Sequence, residues 1–217
     1  MRHTIRYRME DPRLKREDWL RAARIALRRR GPDSVRIERL ARNLGVTKGS
    51  FYWHFKDRDE LLEALLREWE DETSMLLGNA LARSSIREAV VSLLDEIQRR
   101  VILSEQGDCP SDAAIFAWAS ISPEVAVRVN KIELRRIDMI TRLTGRPDRA
   151  ELFYYAYLGF IMRRSRVPSL TDSFPLLAAM LSEILLLTGD DQESQSRTYE
   201  QESTTQESST LDSVDRR

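Results

Sequence analysis

Apolar residues recur at intervals of three and four through nearly the whole chain, and no two-residue alternation is sustained anywhere. The pattern predicts an all-α protein. The first helix is expected from Arg16 to Arg30, with an inward stripe of Trp19, Leu20, Ala22, Ala23, Ala26 and Leu27 and a stop at Gly31-Pro32. Ser34 is placed as the cap of a short second helix carrying Ile37, Leu40 and Ala41 inward. Asn43 to Val46 reads as a tight turn, and Thr47 as the cap of a third helix in which Phe51 and Phe55 share a face. A fourth helix is expected from Asp57 to about residue 77, with Asp57 and Glu60 as a capping box. Its stripe is Leu61, Leu62, Leu65, Leu66, Trp69, Met75 and Leu76.

Later helix starts follow the same grammar: Ser85 with Glu88, Ser111, Ser122-Pro123, Asp148 with Glu151, and Asp172. Residues 190–217 are rich in Ser, Thr, Gln and Glu and hold too few apolar side chains to offset the entropy of ordering, so a disordered acidic polar tail is expected there.

A chain of 217 residues is long enough to bury a substantial core. The lone cysteine, Cys109, excludes an internal disulfide framework, and His3 and His54 lie too far apart for a spaced metal motif. No metal and no cofactor is expected. The longest apolar runs, such as Ile184 to Leu187, are too short to cross a bilayer, and the charged start has no apolar stretch behind it. The expectation is a soluble, cytoplasmic protein without a membrane partner.

The formal net charge is zero, but it is unevenly spread. Residues 1–56 carry 16 basic against 6 acidic side chains, residues 57–188 carry 16 against 21, and residues 189–217 carry 3 against 8. A basic excess of that size in a short, folded segment favours a polyanion partner over a merely solvated face.

Residues 34–55 describe a helix, a glycine-containing turn and a second short helix, the layout in which the second helix enters the DNA major groove. Leu40, Ala41, Val46, Phe51 and Phe55 face inward. The remaining positions, Thr47, Lys48, Gly49, Ser50, Tyr52, Trp53 and His54, are small, hydroxylic, basic or aromatic. Gly49 and Ser50 allow close backbone approach, hydroxyls suit phosphate oxygens, and Lys48 can reach a base acceptor. An ordinary helical hairpin would share this spacing.

The residues themselves narrow the choice. Ser34-Val35-Arg36-Ile37-Glu38-Arg39-Leu40-Ala41, Leu44-Gly45-Val46-Thr47-Lys48-Gly49-Ser50-Phe51-Tyr52-Trp53-His54-Phe55 and Lys56-Asp57-Arg58-Asp59-Glu60-Leu61-Leu62 together closely resemble the TetR family of bacterial transcriptional regulators. The resemblance covers about residues 15–66 and includes Ala22-Ala23 and Gly31. It implies phosphate contacts from Arg36, Thr47, Ser50 and Arg58, a base or phosphate contact from Lys48, and backbone contacts from Tyr52 and His54. Arg58 stands where the family usually has lysine. Trp53 sits at a variable position, either a rim contact to DNA or packing against the first helix, and packing is the expectation. The basic arm, with Arg2, Arg6, Arg8, Arg13, Lys15 and Arg16, either reaches a minor groove or is a solubilising tail.

The expected organisation is a flexible arm (1–14), a helix-turn-helix DNA-binding domain (15–60), a helical effector-binding and dimerisation domain (61–189) and the tail (190–217). Aromatic and methionine side chains in the bundle, Phe116, Trp118, Met139, Tyr154 and Tyr157 among them, could line an apolar cavity, or simply fill the core. By the resemblance, the last two helices pair with their copies. The candidate face is Leu152, Tyr155, Gly159 and Met162 with Leu177, Met180, Leu181 and Ile184. The function implied is a homodimeric repressor that reads a palindromic operator on double-stranded DNA and is released by a small-molecule effector. The alternatives are a DNA-coating protein without an effector and an all-helical enzyme, although no nucleophile–base arrangement or phosphate loop is present to support the latter.

Overall fold

The computed structural model describes residues 14–167 and 174–186, so residues 1–13 of the arm, the Asp172 start and the tail lie outside the described residues. Among these residues every regular element is helical. The chain forms α1 (Arg16–Arg30), a 3-10 turn (Pro32–Ser34), α2 (Ile37–Asn43), α3 (Lys48–Tyr52) and α4 (Arg58–Leu81). It continues with α5 (Ile86–Gln106), α6 (Asp112–Ala119), α7 (Pro123–Thr144), α8 (Pro147–Arg164) and α9 (Phe174–Leu186). No described helix is long and apolar enough to cross a membrane. The described residues up to Leu185 form one compact unit, and of the second, Leu186–Arg217, only Leu186 is described.

α1 occupies the range its stripe predicts, and it ends where Gly31, at φ +73°, donates its N–H to Leu27 O at 2.8 Å. Ser34 does not cap α2. The 3-10 turn buries it, and its single hydroxyl proton is shared between the carbonyls of Ala26 (2.8 Å) and Gly31 (2.7 Å), leaving Arg36 at the cap position. The end of α1 therefore gains the hydrogen bond that sequence assigned to α2. At α4, Asp57 Oδ1 accepts from the Glu60 N–H at 2.8 Å, while Glu60 reaches the Lys56 N–H at 2.6 Å, one residue before the expected cap. α4 also runs beyond the expected end, and Met75 is 67% exposed because it lies a quarter-turn off the Trp69–Thr73–Leu76 line. α8 starts at Pro147, so Asp148 lies in its first turn and pairs with Arg146 rather than preceding the helix.

One hydrophobic cluster runs from Trp19, Leu27, Leu40 and Phe51 through Leu61, Leu65 and Trp69 of α4 to Ile115, Trp118 and Val129. α4 belongs to both ends of it. Trp19 meets Phe51 edge-on at 5.2 Å, and Phe51 stacks on Phe55 at 5.4 Å, which seats α3 on α1.

The turn after α5 docks against α1. Gly107 adopts φ +79°, and a Cβ there would stand 2.6 Å from Ile25 Cγ1 and 3.3 Å from Arg21 O. Both the backbone conformation and the close approach demand glycine. Gly107→Ala is expected to lower unfolding free energy by about 2 kcal/mol in denaturant titrations, and by less in an Ile25→Ala background that removes the contact but not the strained φ.

Candidate nucleic-acid interface and inner cavity

The turn between α2 and α3 is built by short-range hydrogen bonds. Leu44 N–H donates to Leu40 O (2.9 Å), Val46 N–H to Ala41 O (3.0 Å), and Gly45 supplies φ +70° between them. Leu40 and Ala41 meet Phe51 in the core, fixing the crossing of the two helices. Thr47 holds the position before α3, but its hydroxyl makes no cap bond and stays exposed with Lys48 and Gly49. Ser50 and His54 are half-buried. Tyr52 is 58% exposed, its ring braced edge-on against Phe51 at 5.4 Å.

Trp53 corrects the sequence expectation. It is 87% exposed and does not pack on α1, because the inward positions are filled by Phe51 and Phe55. Arg16 takes the neighbouring site, its guanidinium 4.6 Å over the Phe55 ring.

The cations of this face differ in their freedom. Lys48 Nζ pairs with Glu38 Oε1 at 2.5 Å, and that hydrogen bond holds the Glu38 carboxyl below its usual range. Both side chains are about half exposed, so the pair is readily exchanged for a phosphate or a base. Arg36 is exposed, with its Nε donating to Asp33 O at 3.0 Å. Arg58 is turned inward, donating to Val35 O and Pro32 O at 2.7 Å each, which ties the start of α4 to the 3-10 turn. Arg39 and Arg42, exposed on α2, were not among the expected contacts although their charge was legible.

α1 is clasped to the α5–α6 turn by three arginines along one face. Arg21 donates to Gln106 O (3.3 Å) and meets Asp108 (3.1 Å), Arg24 donates to Gly107 O (2.7 Å), and Arg28 to Glu105 O (3.1 Å). The Arg24 side chain is only 3% exposed and also bonds Glu17 and Glu68. Burial opposes its charge, yet the two carboxylates hold its pKa above the ordinary value. The signal in sequence was an arginine inside the Leu20–Ala23–Leu27 stripe.

The bundle encloses a cavity of about 490 Å³. Met139, Tyr154 and Tyr157 line it, together with Leu93, Ile97, Val101, Ile140, Phe153 and Ile161. Phe116 and Trp118 do not. They belong to the core cluster, where Phe116 meets Trp69 edge-on at 6.1 Å. At the polar side of the cavity, Asp112 accepts from Arg136 (2.7 and 3.2 Å), from the Tyr157 hydroxyl and from Trp69 Nε1. Arg136 also donates to Thr73 Oγ1 at 2.8 Å and lies 5.1 Å over the Trp69 ring. Burial alone would raise the Asp112 carboxyl, but Arg136 and the hydrogen bonds hold it at about 2. Burial and the Asp112 charge push Tyr157 well up.

On α8 and α9, Leu152, Tyr155, Gly159 and Met180 are exposed, and Met162, Leu177 and Ile184 are half-buried. Leu181 is a correction: it is buried within the single chain at 2% exposure, while Leu176, absent from the expected face, is open at 68%.

A short helix presented on a three-helix head, joined through a shared core to a helical bundle with an inner cavity, defines a helix-turn-helix protein with a second, cavity-bearing region. The chain matches the model of the TetR family of bacterial regulatory proteins over residues 20–65. It is 29% identical over 175 residues to the class G tetracycline repressor protein of Vibrio anguillarum, covering 66% of this chain and 80% of that one. To the class C tetracycline repressor protein of Escherichia coli it is 34% identical over 96 residues, 38% of this chain and only 42% of the relative's length. A solved transcriptional regulator from Rhodococcus sp. shares the fold at TM-score 0.62 and 18% identity, covering 80% of this chain and 96% of the other. A TetR transcriptional regulator from Chloroflexus aurantiacus does so at TM-score 0.60 and 16% identity, with 77% and 91% covered.

Asp112→Asn leaves Arg136 buried without a counter-charge and is expected to cost about 3 kcal/mol of stability in thermal or denaturant unfolding. Because folding depresses the Asp112 pKa, its contribution is complete above the unfolded value near pH 4 and is lost as pH falls toward about 2. The acid limb of the stability curve over that window should therefore be flatter in Asp112→Asn than in the wild type.

Proposed function

We propose that the protein is a transcriptional repressor that binds a two-fold symmetric DNA site as a homodimer and is released by a small molecule held in the bundle. The observation that carries the reading is α3: its inward residues are locked into the core while Thr47, Lys48, Gly49, Tyr52 and Trp53 all face solvent. A helix seated this firmly, with no acidic side chain on its open face, suits insertion into the major groove. Lys48 exchanges Glu38 for a base edge or phosphate. Thr47, Ser50, Tyr52, His54 and Arg36 address the DNA backbone, and Arg58 steadies the turn from behind.

Dimerisation is assigned to the apolar residues left open on α8 and α9, chiefly Leu152, Tyr155, Leu176 and Met180. Two copies then set two α3 helices about one turn of DNA apart. Release is assigned to α1, which has one end in each region. Trp19 abuts Phe51 of the reading helix, and residues 27–31 form part of the cavity wall. A ligand that favours one seating of the α1 end shifts the population of reading-competent dimers.

Selection from a randomised duplex library, followed by gel shift, tests the DNA reading. A palindromic consensus is expected, with Lys48→Ala and Tyr52→Ala each weakening it by about tenfold or more. Equal affinity for selected and random DNA at every salt concentration would instead indicate a coating protein. In sedimentation, a Leu152→Glu/Tyr155→Glu variant should be monomeric while keeping its helical content, since both side chains are exposed.

A further inference from the structure

The chemistry of the cavity wall narrows what can occupy it, an argument that rests on the cavity being the effector site. Among its charged lining residues, Arg28, Arg29 and Arg30 of α1, Arg100 of α5, Arg136 of α7 and Arg164 of α8 face only two carboxylates, Glu105 and Asp112. The inner arginines are already matched. Arg136 pairs with Asp112 (2.7 Å), Arg100 with Glu72 (2.5 Å) and Arg164 with Glu105 (2.7 Å), and each of the three side chains is largely buried. Four polar wall side chains are engaged as well: Tyr157 with Asp112, Tyr154 with Glu133, Thr73 with Trp69 O and Ser104 with Val101 O.

Arg29 and Arg30 are different. Both are exposed, which puts them at the open side of the cavity, and neither has an ion-pair partner among the described residues. Their charges complement the carbonyl end of α1, so an anion arriving there is held by guanidinium groups and not by the helix backbone. Behind them the wall is apolar, with Leu93, Ile97, Val101, Met139, Phe153 and Ile161.

We propose that the cavity binds an amphipathic carboxylate, its apolar body among Leu93, Ile97, Val101, Met139, Phe153 and Ile161 and its carboxylate at the rim on Arg29 and Arg30 of α1. An anion pushed deeper would have to take an arginine from Asp112 or Glu105 and leave that carboxylate buried and unpaired. A cationic ligand meets like charge at the entrance. A neutral one gains the apolar contact alone. The rim supplies forked donors that match a carboxylate, and the cavity volume of about 490 Å³ lies in the range of small-molecule sites. The arrangement also ties ligand to function, because the anionic end rests on the helix whose other end seats the reading helix.

Calorimetric titration with decanoate, decan-1-ol and decylammonium, below their aggregation concentrations and at one pH, tests the proposal in the full-length protein. Decanoate is expected to bind at least tenfold tighter than decan-1-ol, and decylammonium most weakly. Arg29→Ala/Arg30→Ala should bring decanoate down to the alcohol's affinity and leave the alcohol unchanged. Both residues are exposed, and an unaltered melting curve confirms that the variant folds. Alcohol or amine binding as tight as decanoate overturns the carboxylate class while the cavity reading stands. A carboxylate preference that survives the double substitution overturns the rim placement. Failure of all three probes to bind overturns the proposal and removes the cavity from the functional reading above.

Discussion

The carboxylate of Asp112 organises the bundle. Placed at the first position of α6, it accepts hydrogen bonds from Trp69 of α4, Arg136 of α7 and Tyr157 of α8, and Arg136 extends the network to Thr73 on α4. One buried anion thus collects donors from three neighbouring helices. A charge in that position is tolerable only because every lone-pair direction is answered, and this same requirement fixes the azimuth of each helix around it. Thr73, Asp112, Arg136 and Tyr157 of this network also form part of the cavity wall.

α1 is the second shared element. Its inner face carries two kinds of contact at once: an apolar stripe into the core it shares with α3 and α4, and arginines that grip carbonyls of the α5–α6 turn. Gly107 lets that turn approach closely enough for the grip to form. Residues 105–108 thus contact α1, and α1 in turn contacts α3 through Trp19 and Phe51.

Much of the fold was legible from periodicity and punctuation. The bounds of α1, the turn at Gly45 and the Ser85 cap, whose hydroxyl accepts the Glu88 N–H at 3.2 Å, stand where the residues place them. Local rules failed where a nonlocal partner outbid the local one. Ser34 gave its hydroxyl to the end of α1. Trp53 was expected to pack, but a helix as short as α3 has only one inward side, already filled by Phe51 and its successor Phe55. In the bundle, Phe116 and Trp118 share the composition of cavity residues yet point into the core, and Leu181 shares the spacing of the open face yet is buried.

By itself, then, the sequence determined the helices, the reading helix and the basic head, because capping, periodicity and charge act over a few residues and are written in order along the chain. Only the tertiary structure decided which arginines are matched and which remain open. Arg24, Arg100, Arg136 and Arg164 find carboxylates 44, 28, 24 and 59 residues away, while Arg29 and Arg30, beside Arg28 on α1, find none among the described residues. Ion pairing over such separations depends on where helices cross, and no local pattern encodes a crossing.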